Sequence, residues 1–537
     1  MTSYLLHHLL DETAKRFPDR TALISKNDSI TYAELNLQSD RLALSLTRLG
    51  VKVGDRVGLM LEKSFESVIG IFGILKAGAA YVPIDPQSPL SRVKFVLKHC
   101  NIRLLVTSEN AIEQFLPDLD QGTSLEKVLL AIGNPLALAG KCHNVHLLSW
   151  ADLLSPATAM RPNLNITDTT PAYILHTSGS TGTPKGVAIS HLNSLTFVDM
   201  AADFFEITEG DRLASHAPFH FDLSVFDLFV AVKCGAAIAL VPENLGVFPM
   251  RLAEYIEERG ITVWNSVASV VSLLVERGKL DRFSFASLRL VIFSGDVLPA
   301  KHLRIAMTQM PETRFLNTYG QTEANSSVVF PVDKIPHDDS WRIPIGKPFP
   351  NFEAFALNDD TQIIKAPGET GELHIRSSSV AMGYWEETEK TSKAFVKDPR
   401  PNSQSVTVYK TGDLVTIDNE GNFIFIGRRD RQVKSRGYRI QMDEIESILN
   451  NHPAIKEAVV IAIPDDLVGN RLIAYVSSSP GNAVEESDLF EFCGMFLPRY
   501  MLPEVINFVE TLPKTPTGKT DRKRLQETAA AQPVQRA

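Results

Sequence analysis

The chain is sparing with cysteine, with aromatic residues and with charge of either sign. Its four cysteines, Cys100, Cys142, Cys234 and Cys493, lie far apart and form no C-x-x-C pair. That spacing points to neither a zinc site nor a disulfide framework, and it fits a reducing cytoplasm. Aromatics are 8% and charged residues 22% of the chain, with 54 Lys+Arg against 63 Asp+Glu for a formal net charge of −9. A mildly acidic chain with no Lys/Arg run interleaved with aromatics lacks the phosphate-neutralising surface that dominates nucleic-acid binding, so no nucleic-acid partner is expected. The longest apolar stretch, Val68 to Ile84, is broken by Lys76 and Pro83. It falls short of the roughly 18 apolar residues that a membrane-spanning helix needs, reads as a buried helix running into a strand, and leaves no membrane partner expected. The start, Met1 to Glu12, has no basic segment and reaches acidic residues too soon for a signal peptide.

Two familiar phosphate motifs are also missing. The P-loop ending Gly518-Lys519-Thr520 has Pro513 where the leading glycine is required, and no two glycines are two residues apart, which excludes G-x-G-x-x-G. At 537 residues the chain implies two or more folded units. Helical spacing over 9–19 and 33–49 alternates with short strands such as Arg56–Met60 and Tyr81–Ile84, and the alternation continues to about residue 330. It predicts α/β architecture with largely parallel sheets covered by helices. From 330 to 427 short β-like runs punctuated by Gly and Pro predict a β-rich subdomain. The basic cluster Arg428 to Arg436 reads as a linker, and the residues after it as a small α+β domain.

What is there most distinctly is Tyr173-Ile-Leu-His-Thr-Ser-Gly-Ser-Thr-Gly-Thr-Pro-Lys-Gly-Val187. Its glycines allow close backbone approach to phosphate oxygens, its hydroxyls donate to them, and Lys185 supplies charge. Further segments run in order: Ile30-Thr-Tyr-Ala-Glu-Leu35, Leu75 to Asp85, Phe221-Asp-Leu-Ser-Val-Phe-Asp-Leu-Phe229, Asn317-Thr-Tyr-Gly-Gln-Thr-Glu-Ala324, Tyr409-Lys-Thr-Gly-Asp-Leu414, Gly427 to Gly437 and Pro513 to Lys519. Taken together these motifs resemble the adenylate-forming superfamily of acyl-CoA synthetases, luciferases and nonribosomal peptide synthetase adenylation domains, and within it a stand-alone amino-acid adenylation domain.

The resemblance implies a large N-terminal core over 1–427 that binds ATP and an amino acid, and a small mobile α+β C-terminal domain over 428–537 with a hinge at Asp430. It implies ATP-dependent formation of aminoacyl-AMP, then transfer to the phosphopantetheine thiol of a separate carrier protein. Lys519 is expected to bridge the substrate carboxylate and the nucleotide, Thr322 to contact phosphate, and Glu323 to hold Mg²⁺, a hard cation suited to carboxylate and phosphate oxygens. Thr177, Ser178, Gly179, Ser180, Thr181, Gly182 and Lys185 are expected around the phosphates, Tyr319 under adenine, Asp413 at the ribose and Arg428 beside it. Arg429 and Arg431 are expected on a solvated face.

Carried over residue by residue, the amino-acid pocket comprises Asp222, Leu223, Phe226, Asn265, Ile292, Ser294, Thr318, Ser326 and Ser327, with Lys519. Asp222 is the expected partner of the substrate ammonium, because an unpaired buried charge costs on the order of 3–5 kcal/mol; its other reading is a helix N-cap. No second charge marks the wall, so a small neutral amino acid of the alanine or proline class is preferred, with serine, threonine or a β-amino acid remaining open. Gln321, Gln441, Ser378, Ser379 and Met382 depart from the usual pattern. Beyond Lys519 no phosphopantetheine attachment motif follows, so a free-standing peptidyl carrier acting in trans is expected. An acyl-CoA ligase and an idle nucleotide-sensing scaffold are the rival readings, and a monomer or weak dimer is expected by analogy.

Overall fold

The computed structural model of the protein describes residues 3–119, 122–154, 164–179, 183–400, 406–478, 484–515 and 520–531. Ser180, Thr181, Gly182 and Lys519 lie outside them. The helix Tyr32–Arg48 starts at Thr31, whose hydroxyl accepts from the Glu34 amide while the Glu34 carboxylate accepts from Thr31, a reciprocal cap. Ser64 and Ser67 cap Phe65–Lys76 in the same way. That helix is buried along nearly its whole length, as an apolar sequence without a polar stripe demands. Lys76 is tolerated there because Asp40 and Asp11 receive its ammonium at 2.8 and 3.3 Å. The apolar run Val68–Ile84 is therefore a buried helix followed by the strand Ala80–Pro83.

Two large sheets form the N-terminal bulk. In the eight-stranded sheet the strands from Arg56 to Ser149 pair in parallel, and Pro171–Thr177 then pairs antiparallel with Lys185–Ser190. In the nine-stranded sheet the strands starting at Arg212, Ala237, Val263, Leu290 and Arg314 are parallel, and Asn325–Val332 returns antiparallel. A five-stranded antiparallel sheet follows within Glu353–Arg428, which matches the change in sequence texture. This mixed architecture, with largely parallel sheets under helices, is the one expected from the sequence.

Residues 440–529 hold apolar clusters of their own, built on the helix Met442–Asn450 and the three-stranded sheet Ile455–Asp465, Gly469–Ser478 and Val505–Phe508. The stretch read as a linker is instead a hairpin, Gln432–Ser435 with Tyr438–Gln441, laid over the N-terminal bulk. Ser178 Oγ donates to the Arg439 carbonyl at 2.6 Å, and Phe221 meets Tyr438 edge-on at 4.9 Å, which in turn stacks on Tyr500 at 3.8 Å. Two glycines permit this approach. A Cβ on Gly437 (φ +78°) would lie 2.5 Å from Val267 Cγ1, and one on Gly469 (φ +75°) only 1.5 Å from Asp296 Oδ2. Arg429 is exposed, as expected, while pairing with Asp359 and Glu372; Arg431 is half-buried instead, because the helix Met442–Asn450 brings Asp443 and Glu446 to it.

Candidate active site

The parallel strands of both large sheets end around one cleft, as ligand sites of open α/β sheets do. Strand pairing sets Thr177 beside Lys185, so the loop between them begins and ends at the same level. The Thr177 hydroxyl is buried and has no partner among the described residues. An unpaired buried hydroxyl at the head of a glycine-rich loop fits a phosphate oxygen that would complete it. Ser178 lines the same cavity and Gly179 offers its amide to Glu444 at 3.4 Å.

Opposite the loop stands Glu323, fully buried. Its carboxylate accepts from Lys185 Nζ at 2.8 Å, from the Tyr384 hydroxyl at 2.8 Å and from Arg439 at 3.0 Å. Burial alone would raise its pKa, but Lys185 and Arg439 outweigh it and hold the carboxyl well below the ordinary range. Burial pulls the Lys185 ammonium down to about 8 against the pull of Glu323. Glu323 is therefore an ionised hard-oxygen group at the phosphate loop, chemically suited to Mg²⁺, with Arg439 of the C-terminal hairpin drawing on the same oxygens.

Thr322 and Asp222 meet directly: the threonine hydroxyl donates to Asp222 Oδ2 at 2.8 Å. Asp222 is not a helix cap; Ser224 turns back on the Phe221 carbonyl at 2.6 Å, and the Asp222 carboxyl borders a cavity of about 90 Å³ whose burial pushes its pKa up. Leu223, Ser294, Thr322 and Ser326 share that lining. Phe226, Asn265, Ile292, Thr318 and Ser327 are buried behind it. Asn265 donates to the Leu223 carbonyl at 3.4 Å and to Asp227 at 3.3 Å, and Ser327 to the Ala324 and Asn325 carbonyls at 3.2 and 3.1 Å. These two polar side chains serve the wall rather than face a ligand, whereas the Thr318 hydroxyl is buried without a partner among the described residues.

The residues expected at the nucleotide form a chain of hydrogen bonds. Asp413, buried, takes the Tyr319 hydroxyl and Gln321 Nε2 on one oxygen and Arg428 on the other. Arg428 also grips Asp430 through two contacts of 2.7 and 2.9 Å. Gln321, a departure in the sequence, is thus built into the site: it donates to Asp413 and accepts from Tyr409. Sequence reading assigned no role to Tyr384, Lys434, Arg439 or Glu444. Lys434 lines the cavity, and burial lowers its pKa against the pull of Asp413 and Asp296. A basic hairpin beside Gly437 was the available signal. The segments flanking Lys519 lie elsewhere: Lys514 and Thr520 both pair with Glu457.

A second cavity, about 1210 Å³, adjoins the first across His220, Phe221, Val267 and Tyr438, and carries Lys63, Arg277, Arg436 and Arg499. No helix among the described residues is long and apolar enough to cross a membrane.

Known proteins resemble this chain in sequence and fold. The profile of the AMP-binding enzyme family matches residues 10–385, and that of the AMP-binding enzyme C-terminal domain matches 444–519. An L-proline–(L-prolyl-carrier protein) ligase of Pseudomonas fluorescens is 33% identical over 518 residues, covering 96% of this chain and 98% of its own. A ligase of the same name from Streptomyces coelicolor is 34% identical over 528 residues, covering 97% and 96%. Among solved structures, an artificially fused adenylation-PCP didomain, NpsA-ThdA of Klebsiella oxytoca, is 27% identical with a TM-score of 0.78, covering 94% of this chain and 93% of that one. The chain belongs to the AMP-binding enzyme family, as an ATP-dependent, AMP-forming ligase.

Proposed function

We propose that the protein activates a small neutral amino acid, L-proline in the first place, as aminoacyl-AMP and passes the aminoacyl group to the phosphopantetheine thiol of a carrier protein. The observation that carries this is the Asp222 carboxyl on the wall of a 90 Å³ cavity, 2.8 Å from the hydroxyl of Thr322 and one residue along from Glu323. An acid there pairs with a substrate ammonium, and Leu223, Ser294 and Ser326 on the same lining are uncharged, which suits a neutral side chain. The prolyl-carrier protein ligases support the substrate, since this chain matches them end to end at 33–34% identity.

In the first half-reaction a substrate carboxylate oxygen bonds to the α-phosphorus of ATP and the bond to pyrophosphate breaks. Thr177, Ser178, Gly179, Ser180, Thr181, Gly182 and Lys185 bind the phosphates, and Glu323 would hold Mg²⁺, which supplies positive charge against the phosphate oxygens. Preorganised charge of this kind is usually the largest catalytic contribution. Tyr319 packs against adenine, Asp413 takes the ribose hydroxyls, Arg428 fixes Asp413, and Lys519 joins substrate carboxylate to nucleotide. Residues 428–537 then turn about Asp430 as a unit, an arrangement supported by their separate apolar clusters. In the second half-reaction the thiolate sulfur bonds to the acyl carbon, AMP leaves, and the thiol proton goes to solvent. The orientation described here suits that step: the hairpin offers Lys434 and Arg439 to the adenylate, and the 1210 Å³ cavity leads to it past Arg277, Arg436 and Arg499, which fit a phosphopantetheine phosphate.

The test is amino-acid-dependent exchange of labelled pyrophosphate into ATP across the twenty amino acids, β-amino acids and aryl acids, followed by loading onto holo-carrier or coenzyme A. Exchange strongest with proline or another small amino acid, and loading of the carrier, supports the reading. Exchange only with aryl or fatty acids, or loading of coenzyme A alone, overturns it.

A further inference from the structure

Beside the phosphate loop lies a cluster given no part in the proposed reaction, with His176 on the lining of the 90 Å³ cavity. The helix Leu90–His99 ends on His99 and Cys100, and the strand Pro171–Thr177 brings His176 against them. His99 Nδ1 is 3.3 Å from His176 Nε2, Cys100 Sγ is 3.9 Å from the same nitrogen, and all three ligand atoms lie within 4.8 Å of one another. We propose that His99, Cys100 and His176 form a binding site for a thiolate-preferring, borderline-soft metal ion of the Zn²⁺ class.

The separations match the chemistry. Zn–N bonds of about 2.0–2.1 Å and Zn–S bonds of about 2.3 Å at tetrahedral angles place ligand atoms roughly 3.3–3.6 Å apart, which the His99–His176 separation already meets and the Cys100–His176 separation exceeds by about 0.3 Å. Two imidazoles with one sulfur select zinc or copper(I) over Mg²⁺ or Ca²⁺, which take oxygen ligands. The surroundings orient the ligands. His99 Nε2 lies 3.1 Å from the Trp385 carbonyl, and donation there leaves Nδ1 bare toward the cluster, the arrangement that outer partners impose on metal-bound histidines. Phe95 stacks on the His99 ring at 5.2 Å. A Cβ on Gly186 would come within 3.3 Å of His176 Nε2, so the glycine leaves the His176 ring its place. His176 Nδ1 is buried without a partner among the described residues, so it can carry the ring proton when Nε2 binds. The ligand form of cysteine is the thiolate, so binding must expel the thiol proton: the S–H bond breaks, a sulfur–metal bond forms, and one proton is released to solvent for each ion bound. Cysteine spacing gave no sign of this site because its ligands come from two segments some 76 residues apart.

The test uses the whole, metal-stripped protein titrated with Co²⁺ alone. The expected result is a thiolate-to-cobalt charge-transfer absorption that saturates near one equivalent, is displaced by Zn²⁺, and releases one proton per ion. Cys100→Ser should abolish the band, and His99→Gln should weaken binding by roughly a hundred-fold or more, while both variants keep pyrophosphate exchange. Absence of the band in the wild type, or its persistence in Cys100→Ser, overturns the proposal; His99→Gln answers independently should Cys100→Ser fail to fold.

Discussion

Replacing Gly469 by alanine is the sharpest probe of the docked hairpin orientation. Gly469 ends the turn between Ile455–Asp465 and Gly469–Ser478, at φ +75°. Alanine there bears a left-handed backbone cost of about 1–2 kcal/mol, which weakens the C-terminal unit in any orientation. Its Cβ would also stand 1.5 Å from Asp296 Oδ2 and 2.5 Å from Cγ. Asp296 cannot simply swing aside, since its Oδ1 accepts from the Val297 amide at 2.8 Å. Overpacking of this kind costs about 1–3 kcal/mol, and it arises only where Gly469 faces Asp296. The docked population should therefore fall by roughly 5- to 150-fold. Single-turnover loading of labelled amino acid onto the carrier should drop accordingly, pyrophosphate exchange should stay near wild type, and Gly469→Ala/Asp296→Ala should recover most of the loading. Wild-type loading by Gly469→Ala, or equal losses in exchange and loading, would refute the reasoning.

Lys519→Ala should lower pyrophosphate exchange by two or more orders of magnitude with an unchanged circular dichroism spectrum, in line with loss of a preorganised charge. Asp222→Ala should raise the KM for the amino acid far more than that for ATP, as steady-state kinetics with each substrate varied would reveal. Glu323→Gln leaves Lys185 and Arg439 without their buried countercharge; thermal unfolding should register a loss of about 3–5 kcal/mol. The Asp296 carboxyl is pushed from 3.8 up to about 6 by burial, so the folded form binds the proton more tightly than the unfolded chain. Its contribution is unfavourable once ionised: stability should decline as pH rises from about 4 to 6, by up to about 3 kcal/mol. Asp296→Asn should remove that component from a Tm-against-pH series.

Much of the candidate site was legible because the expected chemistry is local in sequence. The glycine-rich loop, the Thr322-Glu323 pair and Asp222 each carry their expected role in a few adjacent residues. The same holds for architecture, where alternating periods gave helix-covered parallel sheets and a β-rich subdomain. What escaped depends on contacts across great separations. Arg439 reaches Glu323 over 116 positions and Lys185 reaches it over 138, and nothing in a run of basic residues tells a solvated linker from a hairpin driven into a cleft. Asn265 shows the converse: a polar residue at a pocket position whose amide is spent on Leu223 and Asp227. Gln321 looked like a mere deviation, yet it bridges Asp413 and Tyr409.

The crowding of Glu323 has a consequence for the proposed reaction. Its two oxygens already serve Lys185, Tyr384 and Arg439, so a divalent ion held there would have to displace the hairpin arginine. On the reading proposed above, that exchange at a single carboxylate would act as an interlock between the two half-reactions.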